Sequence, residues 1–175
     1  MKAVKPELQL VCDFVNTREL EEGRDELGDA AGLGSWLRTR GLWAERPDEA
    51  DAASARAVRE ALRELLWANN GGEADTEAAA AVLDAAATRA GVAVRFDTGA
   101  IRLVAPAGGV GNVLAAAGTA MADGSWQRLK ACRADGCRWA FVDEARNRSR
   151  QWCSMSVCGN REKARAFRRR HGANA

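Results

Sequence analysis

The chain has 175 residues, 47% hydrophobic and 29% charged, a size and balance that fit one ordinary globular domain or a core with a small appendage. No segment approaches the roughly 20 apolar residues of a membrane span, and residues 1–30 lack the basic and apolar pattern of a secretory leader, so a cytoplasmic protein with reduced thiols is expected. The net charge of +2 hides a division: residues 1–125 carry 13 Lys+Arg against 20 Asp+Glu (−7), and residues 126–175 carry 13 against 4 (+9), which points to a polyanion partner for the C-terminal part.

Leu8 to Val15 is an apolar run with Asp13 inside it, readable as a strand or a short helix; its lone Cys12 reads as a small core residue. Asp29 or Ser35 is placed to cap a helix carrying Leu33, Trp36 and Leu37, which Gly41 ends. From Asp48 to Trp67, Val58, Leu62 and Leu65 recur at helical spacing, and Asn69-Asn70-Gly71-Gly72 breaks the pattern. Thr76 to Ala90 predicts a second, alanine-rich helix with Val82, Leu83 and Ala86 on its apolar side. The period then falls to two: Val92, Val94 and Phe96, a Thr98-Gly99 turn, then Ile101 and Leu103, the pattern of a β-hairpin. Val110 to Ala122 predicts a third small-residue helix, and Gly124 marks a boundary between residues 1–124 and 125–175.

Two weaker signals have plainer readings. Gly108-Gly109-Val110-Gly111 before a helix has the look of a phosphate cradle, but it lacks the Lys-Ser/Thr of a P-loop and the full glycine spacing of a dinucleotide fingerprint. A connecting loop is the simpler account. His171, the only histidine, leaves little room for a Ser-His-Asp or Cys-His arrangement, so no catalytic residues are assigned and no enzyme is expected.

The C-terminal third carries the chemistry. Cys132 and Cys137, then Cys153 and Cys158, form two pairs of equal spacing within 27 residues. Pair-loop-pair spacing of this kind supplies four thiolates to one tetrahedral Zn²⁺, with about 2.3 Å to each sulfur. Two local disulfides and iron–sulfur chemistry are the alternatives; a reduced compartment favours metal, and a closed site favours structural zinc. Trp126–Leu129 and Arg138–Val142 read as short strands, and residues 143–150 as a polar connection holding Arg146, Arg148 and Arg150. After Cys158 the chain reads as a helix to Arg170. On its wheel Arg161, Arg165, Arg168 and Arg169 cluster, and Ala164 and Phe167 form an adjacent strip suited to packing over the zinc core, flanked by Lys163 and Arg170.

Cys132-Arg133, Cys137, Trp139-x-Phe141, Asp143, Arg146-Asn147, Arg150-x-Trp152-Cys153-x-Met155 and Cys158-Gly159-Asn160-Arg161-x-Lys163 together resemble the CGNR zinc finger. Asp13-Phe14-Val15-Asn16-Thr17 and the order of the N-terminal elements resemble the ABATE domain, which accompanies this finger in bacterial proteins described as stress-induced transcription regulators. The resemblance implies one structural zinc on the four cysteines and, through the basic residues, DNA binding.

The expected fold is therefore α+β: a mostly helical N-terminal domain with a hairpin, and a small treble-clef-like finger of knuckle, hairpin and helix. The candidate nucleic-acid contacts are Arg146, Arg148, Arg150, Arg161, Lys163, Arg165, Arg168, Arg169 and Arg170. Arg161 has a second reading as a structural partner of Asp143 or Glu144. Asn16, Thr17 and Arg18 are candidates to line a pocket for a small effector, against the plainer reading that they cap or turn the chain. Trp36, Trp43 and Trp67 are available for such a pocket or for the core, and the acidic domain for homodimer formation. The rivals to a DNA-binding regulator are an RNA-binding finger, with Trp139, Phe141 and Trp152 as stacking platforms, and a protein-interaction module.

Overall fold

The apolar run at the N-terminus is a helix, α1 (Pro6–Val15), with proline in its first turn and Leu8, Val11, Cys12, Phe14 and Val15 buried. A continuous apolar stretch carries no periodicity of its own, so its length and tertiary packing decide between helix and strand. The structure, a computed structural model, describes residues 4–42 and 46–172, with nothing stated for the side chains of Ala100 and Gly172. Trp43, expected in the core or a pocket, lies outside the described residues.

After α1, a two-residue ladder joins β1 (Arg18–Glu19) and β2 (Arg24–Asp25). Helix α2 (Ala30–Thr39) starts where expected: the Asp29 carboxylate accepts from the Gly32 amide at 2.7 Å. Helix α3 (Glu49–Asn69) opens on a capping box in which Asp48 and Asp51 each accept the other's amide. Helix α4 (Thr76–Arg89) is capped by Asp75 and buries Ala79 and Ala86. Val82, read as part of its apolar side, is exposed instead, because the helix settles on its smallest residues.

The hairpin is β3 (Ala93–Asp97) and β4 (Ala100–Val104), pairing Val94 with Leu103 and Phe96 with Ile101. Gly99 makes the turn at φ 83°. Helix α5 (Val110–Ala122) runs beneath it and packs against α1, with Val113, Leu114, Ala116, Ala117 and Ala120 buried. Small residues permit the close approach: a Cβ on Gly111 would meet those of Ala105 at 2.8 Å and Ala90 at 3.0 Å. The glycine loop before α5 is thus a connection packed into the body.

Residues 125–128 form one tight 3₁₀ turn rather than the strand expected there; β5 (Leu129–Ala131) follows and pairs with β6 (Ala140–Val142). Arg138, placed in that second strand by its sequence, is instead in the left-handed region at φ 53°. A π-helical turn (Met155–Gly159) leads into α6 (Asn160–Gly172). The main apolar core runs continuously across Gly124: Trp126, Leu129, Ala131 and Ala140 belong to it together with residues of α1, α2, α3 and α5. Among the described residues, no helix is long and apolar enough to cross a membrane.

Candidate metal centre and basic surface

The first cysteine pair sits at the tip of the β5–β6 ladder, and the second in the loop and π turn before α6. Two short segments thereby deliver one cluster: the sulfurs of Cys132, Cys137, Cys153 and Cys158 all lie within 4.8 Å of one another. Cys137–Cys153, Cys153–Cys158 and Cys137–Cys158 are 3.8, 3.6 and 3.7 Å apart. A tetrahedron with metal–sulfur bonds of about 2.3 Å has edges of about 3.8 Å, whereas a disulfide needs about 2.05 Å. The spacing fits a metal ion, and the cysteines are all free thiols.

Packed this tightly, the thiols titrate apart. Hydrogen bonds with Cys137 and Cys153 draw the Cys132 thiol down to about 2, while the bond to Cys132 pushes Cys137 up to about 12. Cys153 is pushed up by its hydrogen bonds with Cys132 and Cys137. Four thiolates in this space require a cation among them, and the closed all-sulfur set is that of one structural Zn²⁺. The Ala134 amide donates to Cys132 and the Trp139 amide to Cys137, so each ligand of the first pair has the amide two residues on turned toward its sulfur. Gly136 at φ 77° supplies the reversal between them.

A shell of buried ionic contacts fixes the knuckles. Lys130 on β5 donates to Asp143 at 2.7 Å and to the carbonyls of Arg148 and Arg150 at 2.6 and 3.0 Å. Asp143, fully buried, also accepts the Ala145 and Arg150 amides at 3.0 and 2.9 Å. Burial alone would raise its carboxyl, but Lys130 and these amides outweigh it and hold it below the usual carboxylate range. The second pair is held by Arg150, which donates to the carbonyls of Trp152 and Cys153 and lies over the Phe141 ring.

The nine candidate basic residues divide by how they are used. Arg150 is spent inside the finger. Arg161 pairs with Glu21 of the β1–β2 turn at 2.5 Å and reaches the Cys158 sulfur at 3.5 Å. Its structural partner is therefore Glu21 rather than Asp143 or Glu144. Arg165 pairs with Glu162 at 2.9 Å and Asp135 at 3.4 Å. Arg146, Arg148, Lys163, Arg168, Arg169 and Arg170 are exposed, and among the described residues no ion pair engages them.

These partners turn α6 from its expected setting. Arg161 and Arg165 face the body, while Ala164 and Phe167, expected over the zinc core, are exposed; Phe167 is 56% exposed and stacks on His171 at 4.2 Å. At this turn a Cβ on Gly159 would meet the Met155 sulfur at 2.6 Å, and Asn160 donates to the Ser156 carbonyl at 3.1 Å.

Asn16, Thr17 and Arg18 have structural partners. The Asn16 amide pairs both ways with the backbone of Ala140, at 2.9 and 2.7 Å, extending the β6 edge by one side chain. Asn16 also borders a cleft of about 510 Å³ between α1 and β6. Thr17 is buried, donating to the Phe14 carbonyl at 2.7 Å and accepting from Arg59. Arg18 is exposed beside Glu60 at 3.5 Å.

Several functional side chains gave no signal in the sequence. Arg59 is buried and grips Asp25 with two bonds of 2.6 and 2.8 Å. Arg63 donates to Glu60 at 3.0 Å and to the carbonyls of Val15, Arg18 and Arg138 at 2.7, 3.3 and 3.1 Å. Asn69 takes the carbonyls of Trp126 and Leu129, and Asn70 those of Ala131 and Gln151. Trp67 provides a ring for the Arg138 guanidinium at 3.3 Å. The helix read as ending in a plain break thus clamps the finger to the body.

Comparison with known families matches these two parts. The CGNR zinc finger model covers residues 128–171, and the ABATE model, described as "putative stress-induced transcription regulator", covers residues 8–134. The two overlap on residues 128–134, which hold β5 and the first cysteine of the first knuckle. No curated protein matches the chain. With the ABATE model spanning well over half of its length and the thiol tetrad inside the finger match, the chain belongs to the ABATE family and ends in a CGNR zinc finger.

Proposed function

We propose that the protein is a cytoplasmic, non-catalytic transcription regulator whose zinc-held finger binds duplex DNA, with the N-terminal body as its effector-sensing part. The observation that carries this is the state of the basic residues. Arg168, Arg169, Arg170, Lys163, Arg146 and Arg148 are exposed and unengaged by any acid among the described residues, on a segment of charge +9. Exposed cations on a helix anchored at its base are suited to phosphate contacts. The RNA reading is weaker, since Phe141 and Trp152 pack with the thiol cluster and only Trp139 of the three rings, 37% exposed, stands free for stacking.

Anisotropy of a labelled duplex against increasing salt tests the proposal. Four to six phosphate contacts give a slope of log affinity on log salt of roughly −4 to −5. Replacing Arg168, Arg169 and Arg170 by Ala flattens it by about 3, while Arg165→Ala, already paired internally, changes it little. No binding at low salt, or equal slopes in the wild type and the triple variant, contradicts the proposal.

A further inference from the structure

The loop before α5 borders a cleft of about 630 Å³ among α2, α3, α4 and α5, away from the cysteines. We propose that this cleft binds a small organic acid: one carboxylate on an apolar body. Its walls include Leu33, Leu37, Val58 and Leu114, core side chains whose surfaces reach the cavity. Its volume lies in the range of small-molecule pockets, about 300–1,000 Å³.

Two arginines and two aspartates line the cleft, so which of them are already engaged decides the sign of the ligand. Asp48 and Asp51 line it too, but each accepts the other's backbone amide at the start of α3, at 2.8 and 3.0 Å. Arg46 and Arg89 line the cleft without a carboxylate partner among the described residues. Arg89 instead donates to the Ser54 hydroxyl at 3.1 Å, which leaves that hydroxyl's own proton for a ligand. An arginine fork beside a hydroxyl, over an aliphatic floor, suits a planar carboxylate with an apolar body. A bare phosphate group is disfavoured: the floor is hydrocarbon, the loop has no lysine, and packing against Ala105 and Ala90 accounts for Gly111.

This supplies the effector class for the sensing part of the proposed function, and it is tested without DNA. Calorimetry on the zinc-loaded full chain compares naphthalene-2-carboxylate with the neutral naphthalene-2-carboxamide. The carboxylate binds one per chain and about tenfold tighter, the value of one charge-assisted contact. Arg89→Gln removes that advantage and leaves amide binding unchanged; its denaturation midpoint, for an exposed site, stays that of the wild type. Phe96→Ser, on the exposed face of the hairpin, leaves both affinities unchanged. Absence of binding, equal binding of acid and amide, full affinity in Arg89→Gln, or loss in Phe96→Ser each overturns the proposal. Because no DNA is present, each outcome stands apart from the DNA-binding reading.

Discussion

At the scale of single residues, the Arg63 guanidinium serves Glu60 and three backbone carbonyls that come from α1, its following strand and the first zinc knuckle. Removing it takes this donor from the Val15, Arg18 and Arg138 carbonyls, while Glu60 keeps Arg59 at 2.9 Å. Arg63→Ala is therefore expected to cost about 2–4 kcal/mol, and Arg63→Lys to recover little of it, because a compact ammonium cannot span the same fork. Urea denaturation of the zinc-loaded protein measures both; a loss below about 1 kcal/mol would reduce Arg63 to the weight of a surface charge. Asp25 offers a pH test. The hydrogen bond from Arg59 holds its carboxyl below the ordinary value, so the folded state favours the ionised form. That stabilisation is present above the unfolded value of about 3.9 and is lost as pH falls through the lower, folded value. The stability gap between wild type and Asp25→Asn should be widest near neutrality and narrow below about pH 4; a gap constant from pH 7 to pH 3 contradicts the assignment. None of these roles was legible beforehand. Arg59 and Arg63 fall between the apolar positions of α3, Asn69 lies in the run that breaks the helical pattern, Lys130 stands between Leu129 and Ala131, and most of their partners lie on other elements, so local pattern carries no trace of these roles. The cysteines were legible because ligand spacing is itself local chemistry.

At the scale of elements, legibility followed the same division. Helices α2, α3 and α4 were marked by the spacing of their apolar residues, and α2 also by Asp29 at its cap, whereas the caps Asp48 and Asp75 emerge only in the structure. The face of α6 was not, because an apolar strip on a wheel turns inward only when nothing stronger turns the helix. Here Arg161 and Arg165 find Glu21, Asp135 and the Cys158 sulfur, and Phe167 faces out. Arg161 thus acts behind a metal ligand, and loss of such a partner typically lowers metal affinity 10–100-fold. Competition with a chromophoric chelator should show a drop of that order in Arg161→Ala; unchanged affinity would make the contact incidental. Gly111 gives a second test. Alanine normally favours a helix over glycine by up to about 1 kcal/mol, yet here its Cβ meets two others at 2.8 and 3.0 Å. Gly111→Ala is expected to destabilise by about 1–3 kcal/mol, so the sign alone decides between packing and propensity.

At the scale of the whole molecule, the finger is both part of the body and dependent on its metal. Leu129, Ala131 and Ala140 are in the main core, whereas Cys132, Ala134, Phe141 and Cys158 form a small cluster of their own around the tetrad. That second cluster is too small to hold its loops by burial alone. On chelation, hydrogen exchange should accelerate across residues 143–172 and the first knuckle, while β5 and β6, seated on α3 and α1, keep their protection. Uniform loss through α1–α5, or no change anywhere, contradicts this division. In the proposed function, zinc holds a basic helix in the posture that meets DNA. The most direct measurement of that claim is duplex affinity at fixed low salt for the zinc-loaded protein, the chelated protein and the chelated protein given zinc again. Affinity should fall at least tenfold on chelation and return with the metal, since folding of the finger is linked to metal binding. Affinity unchanged by removing zinc would contradict it.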